Sequence, residues 1–477
     1  MASRPEYQSL ADVEDHAAAS DEDSALLGGL DHDSNDVPFS WIEYAIFCFL
    51  GMAMLWAWYA QNTPSPSKSK CTCPKKTKAN VTLLNRNMFL AAAPYFASRF
   101  AGDSWIEANF QSTILTVSTL TNLVSALILS HIQHSASYPF RINLALVINT
   151  VIFGLLTGST AVFLDASPRQ YLGFVLTMVA CTSWAAGLMQ NGAFAFAAGF
   201  GRSEYMQALM VGQGVAGVLP SIAQVVSVLL FPPSKENAAA GEGAGQSSAF
   251  YYFLAAVVIS LVTLVAIIPL VRRHNRLVAD RLTEHLASSM ASIEEAERAT
   301  RKVVSLLHLL KKLRWLAFGV ALVFAVTMFF PVFTVKILSV HKDGGILFQP
   351  AVFIPVGFLF WNIGDLLGRI ATMLPFSLSH RPVLLFALAV ARIALLPLYL
   401  LCNINGRGAI IPSDFFYLFI VQLVFGLTNG WVGSSFMIAS GEWVEDNERE
   451  ATGGFMGLCL VAGLASGSLL SFTISDI

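Results

Sequence analysis

Charge is scarce in this chain. Of its 477 residues only 13% are Asp, Glu, Lys or Arg, where a soluble globular protein carries roughly 25%. Hydrophobic residues make up 55%, and mean hydropathy is +0.61. A deficit of that size excludes one apolar core in water and fits a chain solvated mostly by lipid. The net charge of −2 points to neither nucleic acid nor acidic partners. Cysteine is equally uninformative. Cys48, Cys181, Cys402 and Cys459 sit in apolar runs, where a thiol acts as a small hydrophobe. Cys71 and Cys73 are too close to bridge easily, and no histidine or second pair stands at zinc spacing from them. The sequence has no G-x-S-x-G, no G-x-x-x-x-G-K-[ST], no H-E-x-x-H and no dinucleotide fingerprint. Nothing therefore points to an enzyme, a metal or a cofactor. The first 36 residues are acidic and polar instead of basic and then apolar, so no cleavable signal peptide is expected there. The first helix would serve as its own signal anchor.

What the sequence does have is long apolar runs. A membrane-crossing helix needs about 20 such residues. Runs of that kind fall near 39–58, 108–132, 141–164, 170–200, 206–231, 249–271, 315–340, 349–374, 383–402, 413–440 and 451–473. The expected fold is all-α, a polytopic membrane protein of about eleven spans. Between the sixth and seventh lies the longest polar loop, 272–314. It carries Arg272, Arg273, Arg276, Arg281, Arg298, Arg301, Lys302, Lys311, Lys312 and Arg314. Positive loops face the cytosol, which also puts the N-terminal tail inside and leaves Arg141, Arg202 and Arg381 on the same side. The expected organisation is an acidic disordered tail (1–38), six helices (39–271), the basic cytosolic loop (272–314) and five helices (315–477). The segment 278–310 has helical spacing and reads as a surface helix, with a binding role as the alternative. In the tail, Glu22 stands four residues before Leu26-Leu27, the pattern of an adaptor-read sorting signal for endosomes, lysosomes or vacuoles. A disordered tail that happens to hold two leucines is the other reading.

Polar residues inside the spans are informative because they are expensive. In FLFWNIGDLLGRIATML, Asn362, Asp365 and Arg369 sit at offsets of three, four and seven and share one helical face. A charge at mid-membrane costs about 2.5–3.5 kcal/mol on insertion scales. It persists where the face looks into protein or a water-filled cavity. Function and a self-neutralising pair that glues helices are both open here, since Gly364 and Gly368 form a G-x-x-x-G that favours close packing. In YMQALMVGQGVAGVLP, Gly212, Gly214 and Gly217 read as a packing surface with Gln213 bonding across it. Gln190 is a lone amide in an apolar span, and Asn429 is a candidate cavity residue in a helix rich in small residues.

Taken as a set, these motifs resemble the equilibrative nucleoside transporter family. The pieces are Leu55-Trp-Ala-Trp58, Asn87-Met-Phe, YMQALMVGQGVAG, WNIGDLLGR, LYLLCNINGRG, LTNGWVGSS and EREATGGFMG with GLASGSLLSF. They run from the first span to the last. The resemblance implies a helical carrier of the major facilitator type with one helix fewer, built as two bundles, and facilitative passage of nucleosides by alternating access. It implies that Trp58 flanks the nucleobase, with Leu55 as its apolar neighbour. Gln190 would hydrogen-bond the base, and Asp365 with Arg369 would engage the ribose and influence gating. Asn362 and Phe330-Pro331 would lie in the same central region. Such a role expects the pair to border a wet chamber. The expected partners are a purine or pyrimidine nucleoside, the lipid bilayer and the sorting adaptor. The expected location is the plasma membrane or a vacuolar or endolysosomal one. Ile114 and Ser440-Gly441 depart from the family pattern and leave base preference and inhibitor sensitivity open. The rival readings are a nucleobase or other polar-solute carrier of the same fold, and a non-transporting receptor or scaffold.

One stretch does not fit. Residues 59–86 interrupt the first span with Lys68, Lys70, Lys75, Lys76, Lys78 and Arg86 and no acidic residue. That charge falls on the side the orientation rule disfavours. With the piece removed, the flanks rejoin as LGMAMLWAWNMFLAAAPYF, one continuous apolar run. The segment reads as a translated intron or a gene-model error, and the alternative is a genuine loop with Asn80-Val81-Thr82 as a glycosylation site. Sequencing of mature transcripts should recover messages without codons 59–86, and the shorter protein should transport better. Messages that all retain the segment would refute the splicing reading.

Overall fold

Hydrogen-bond accounting decides the secondary structure, because lipid offers an exposed backbone no partners and a helix satisfies its own. The computed structural model describes residues 39–61, 95–96, 99–100, 103–132, 137–162, 166–230, 241–288, 305–341, 345–375 and 378–471. Within these, the side chains of 57–61, 104, 108, 111–112, 227–228, 230, 241–248, 252 and 277–288 are outside the description. The N-terminal tail with Glu22, Leu26 and Leu27, and positions 62–94 of the interrupting stretch and its flank, lie outside it too.

Every apolar run becomes a helix. In chain order they are α1 (Trp41–Gln61), α2 (Ser104–His131), α3 (Tyr138–Val162), α4 (Pro168–Gly199), α5 (Ser203–Leu230) and α6 (Gly241–Ser288). The second set is α7 (Arg314–Thr327), α8 (Pro350–Ala371), α9 (Pro382–Ala391), α10 (Val424–Glu442) and α11 (Arg449–Ser471). Three of these continue in irregular turns. Phe329–Thr334 extends α7, a 3₁₀ turn Arg392–Leu395 and then Leu396–Tyr399 extend α9, and a π-helical segment Phe416–Leu423 leads into α10. Among the described residues ten helices are long and apolar enough to cross a membrane, and α1 adds a shorter apolar stretch, Trp41–Trp56.

Local chemistry fixes several ends. Asp103 caps α2 by accepting from the backbone N–H groups of Trp105 and Ile106. Ser167 and Gln170 form a reciprocal capping box at α4, with Pro168 opening the helix. The 3₁₀ turn in α9 has a cause in Pro397, which has no N–H to offer the carbonyl of Ile393. The sixth helix departs from expectation. It does not stop near 271 but runs on to Ser288, so the first part of the basic loop is helical. Arg273 there meets Glu43 at the start of α1 at 2.5 Å, and the Tyr205 hydroxyl of α5 donates to the same carboxylate.

The packing puts α1 on α5 and α6, α3 on α4 and α6, α2 on α4, α7 on α9, α10 and α11, and α8 on α10. Contacts between the first six and last five helices run through α5–α8, α4–α11, α2–α11 and α5–α10. One of the close seams is α8 against α10. A Cβ added at Gly364 or Gly368 would collide with the carbonyls of Leu423 or Leu427, and one at Gly426 or Gly430 with those of Trp361 or Asp365. Glycine is needed on both sides for the backbones to approach that closely. Gly430→Ala should cost about 1–3 kcal/mol as overpacking and lower the melting temperature of the purified protein. Gly441→Ala, where a Cβ meets nothing within 4 Å, should not. Equal melting temperatures for both variants would refute the seam's role.

Candidate functional site

The helical spacing of Asn362, Asp365 and Arg369 holds in three dimensions. All three lie on α8, are no more than 5% exposed, and face α5 and α10. Asn362 Nδ2 donates to Ser221 Oγ of α5 at 3.0 Å and to the Phe358 carbonyl at 2.9 Å. Arg369 Nε donates to Asp365 Oδ2 at 2.7 Å. Its Nη1 crosses to α5 and donates to the Met210 carbonyl at 2.9 Å and to Gln213 Oε1 at 3.1 Å. The other carboxylate oxygen, Asp365 Oδ1, accepts from Asn429 Nδ2 of α10 at 2.7 Å.

Asn429 is held in turn. Its Oδ1 accepts from Thr327 Oγ1 of α7 at 2.5 Å and from Arg392 Nη2 at 3.2 Å. The structure thus joins α5, α7, α8, the end of α9 and α10 through one buried polar chain. Backbone approach makes it feasible. Gly214 of α5 lies against the Arg369 side chain and Leu366, where a Cβ would crowd both.

Among the described residues, the pair is enclosed by protein groups in this conformation. Asp365 and Arg369 are sealed on protein partners between α5, α8 and α10. The physical reason is that both carboxylate oxygens and three guanidinium nitrogen–hydrogen directions find protein groups within hydrogen-bond distance, as a buried charge requires.

The other expected residues lie on different helices. Gln190 on α4 is 7% exposed, and its Oε1 is buried with no hydrogen-bond partner among the described residues. An unpaired buried acceptor of this kind is uncommon in native proteins. Leu55 is half-buried on α1. Helix α1 continues through Trp58, whose side chain is among those outside the description. Gln213 turns out to be a partner of the ionic pair. Residues the sequence reading passed over are Thr327 and Arg392. Arg392 had a signal, as the lone cation in an apolar run, FALAVARIALLPL.

The comparisons with known proteins agree with this architecture. A family profile described as nucleoside transporter matches residues 176–476. The chain belongs to the nucleoside transporter family. Nucleoside transporter FUN26 of Saccharomyces cerevisiae is 29% identical over 474 residues, covering 90% of this chain and 83% of the yeast protein. Human equilibrative nucleoside transporter 1 is 27% identical over 458 residues, covering 90% of this chain and 96% of the human one. The fold is that of major facilitator transporters. The human organic anion transporter MFSD10 superposes with a TM-score of 0.51 at 14% identity, covering 92% of this chain and 95% of that one. The proton:xylose symporter XylE gives 0.52 at 10% identity, covering 91% and 87%. Members of this family are transporters and not enzymes.

The ionic pair yields a stability test. Asp365→Ala leaves Arg369 buried without its carboxylate, which costs about 3–5 kcal/mol. The double variant Asp365→Ala with Arg369→Met removes both charges and should melt higher than Asp365→Ala alone. A double variant that melts lower would show that the two side chains do not compensate each other.

Proposed function

We propose that this chain carries nucleosides across a membrane by facilitated alternating access, with Asp365 and Arg369 contacting the sugar. One observation carries the reading: Arg369 is shared between its own carboxylate on α8 and acceptors on α5. The ion pair lies within a single helix and travels with it. The contacts of Nη1 to Met210 and Gln213 cross between the first six helices and the last five, so they must break when the two groups of helices rock apart. Sugar hydroxyls can replace those acceptors. The solute then compensates for opening this face, which is how binding is coupled to rocking.

The base is assigned to Leu55 and Trp58 on α1 and to Gln190 on α4. A flat indole suits base stacking, and the unpartnered Gln190 Oε1 suits an amino donor. Asn362 borders the same face of α8. The conformation described here is closed at the Arg369 end, with α4 and α11 in contact at Phe194, Gly453 and Gly457.

Sidedness follows the same reading. The starts of α1, α3, α5, α7, α9 and α11 and the ends of the even-numbered helices gather Arg141, Arg202, Arg272, Arg273, Arg276, Arg314 and Arg381, and we assign that end and the N-terminus to the cytosol. The two groups of helices are taken as 39–271 and 315–477, joined by the basic segment 272–314. Glu22 with Leu26-Leu27 is assigned to a sorting adaptor, with a vacuolar or endolysosomal membrane as destination and the plasma membrane as the alternative.

Tracer uptake tests the proposal. Wild-type protein in vesicles should accumulate uridine or adenosine. Asp365→Asn and Arg369→Lys should reach the membrane and lose about ten- to hundredfold of that uptake, since each loses a charged hydrogen bond. Undiminished uptake by both variants would remove α8 from the site, and no uptake by wild type would withdraw the function.

A further inference from the structure

Arg392 is a buried cation that the transport site as described does not use. It is 2% exposed and lies where α9 gives way to its 3₁₀ turn, inside a candidate span. Nη1 donates to the Val323 carbonyl at 3.2 Å and Nε to Thr428 Oγ1 at 3.2 Å. Nη2 donates to Asn429 Oδ1 at 3.2 Å and to the Phe425 carbonyl at 3.5 Å, and the guanidinium sits 4.9 Å over the Phe425 ring. All of these acceptors are neutral. A leucine or methionine could pack α7, α9 and α10 together without burying a charge, so packing alone does not explain an arginine here.

Asn429 supplies the explanation. Arg392 Nη2 can only donate, so its contact with Oδ1 fixes which end of the amide is oxygen; the single Thr327 hydroxyl proton is shared between that oxygen and the Val323 carbonyl. Nδ2 is then left facing Asp365 Oδ1, to which it donates at 2.7 Å. Without Arg392 the Oδ1 end of the amide loses its charged donor, and Asn429 no longer holds the Asp365 carboxylate from a fixed position. Two guanidiniums, on Arg369 and Arg392, therefore hold one carboxylate from opposite sides, the second through a neutral amide.

We infer that Arg392 is a positioning residue for the solute, acting on Asp365 through Asn429. It sets the direction of the carboxylate that meets the sugar and touches no solute itself. The inference rests on the proposed contact between Asp365 and the sugar. A structural role alone would weaken transport of every solute alike. A positioning role weakens only solutes that use the carboxylate.

The experiment compares uridine with 2′,3′-dideoxyuridine, which lacks the sugar hydroxyls at issue. KM and Vmax for each would be measured in vesicles, with membrane level read by blot, for wild type, Asp365→Asn, Arg392→Met, Asn429→Leu and the last two combined. Arg392→Met and Asn429→Leu should each raise KM for uridine about tenfold, the scale of one lost charged hydrogen bond. KM for dideoxyuridine should stay within about twofold. The combined variant should be no worse than either alone, because both break one chain. Equal changes for the two solutes, or multiplied effects in the combined variant, would overturn the inference. If Arg392→Met fails to reach the membrane, Asn429→Leu and Thr327→Val decide it by the same comparison. Uridine that wild type does not carry, or a preference that Asp365→Asn leaves unchanged, instead overturns the proposed site and withdraws this inference with it.

Discussion

A guanidinium in a membrane interior must be surrounded by acceptors before a helix carrying it can be buried, and the rest of this structure is arranged around that requirement at Arg369. Its own helix supplies one acceptor, the carboxylate of Asp365 a turn earlier. A second helix supplies two, the Met210 carbonyl and Gln213 Oε1. Gln213 is itself steadied from the other side, its Nε2 resting 4.0 Å from Met54 Sδ on α1. Removing any one of these leaves a buried charge with fewer acceptors, which is more costly than never having buried it.

Those contacts are short only because the helices carrying them are close. Along α8 and α10 the glycines alternate so that each backbone lies against the carbonyls of the other: Gly364 and Gly368 on one side, Gly426 and Gly430 on the other. The seam brings Asn429 within reach of Asp365 as a geometric consequence, since Gly430 is its neighbour in sequence and lies against the Asp365 carbonyl. The same logic recurs at α1 and α5, where Gly51 faces the Leu209 carbonyl and Gly212 that of Cys48. That contact fixes the stretch of α5 from which Met210 and Gln213 reach Arg369.

Hydropathy made the eleven helices legible, because lipid leaves a long apolar run only one way to satisfy its backbone. Spacing made the face of Asn362, Asp365 and Arg369 legible, because the helical repeat is fixed. The partners of that face were not legible, since they depend on which helix lies opposite. Gln213 read as bonding across a helix contact and does so, but that its partner is Arg369 was not legible. Arg392 went unremarked because a single arginine in an apolar run names no partner. Helix α6 runs without a break from the span into the basic segment, as far as Ser288. Loss of hydrophobicity after 271 marks where the helix leaves lipid and says nothing about where the helix stops, and the segment holds good helix formers. The π-helical turn at Phe416–Leu423 has no one-dimensional signal either. It places Gln422, which is fully buried, against Thr334, Tyr399 and Tyr417 together.

The arrangement separates what moves from what stays. Among the last five helices, the α8–α10 glycine seam and Asn429 bind helix to helix through backbones that cannot retreat without opening voids. The tie to the first six helices at this face is of another kind: a guanidinium edge on a carbonyl and an amide, each bond a net contribution of about 1.5–3 kcal/mol. Hydroxyls of a solute are acceptors of comparable strength. In the proposed cycle, an exchange between two sets of similar bonds needs no large driving force in either direction, which suits facilitated passage. An ion pair spanning the two groups of helices would have been a poorer choice, because its separation would expose both charges at once. With acid and base one turn apart on α8, the costly charge stays paired within one helix, and the proposed exchange would involve neutral partners alone.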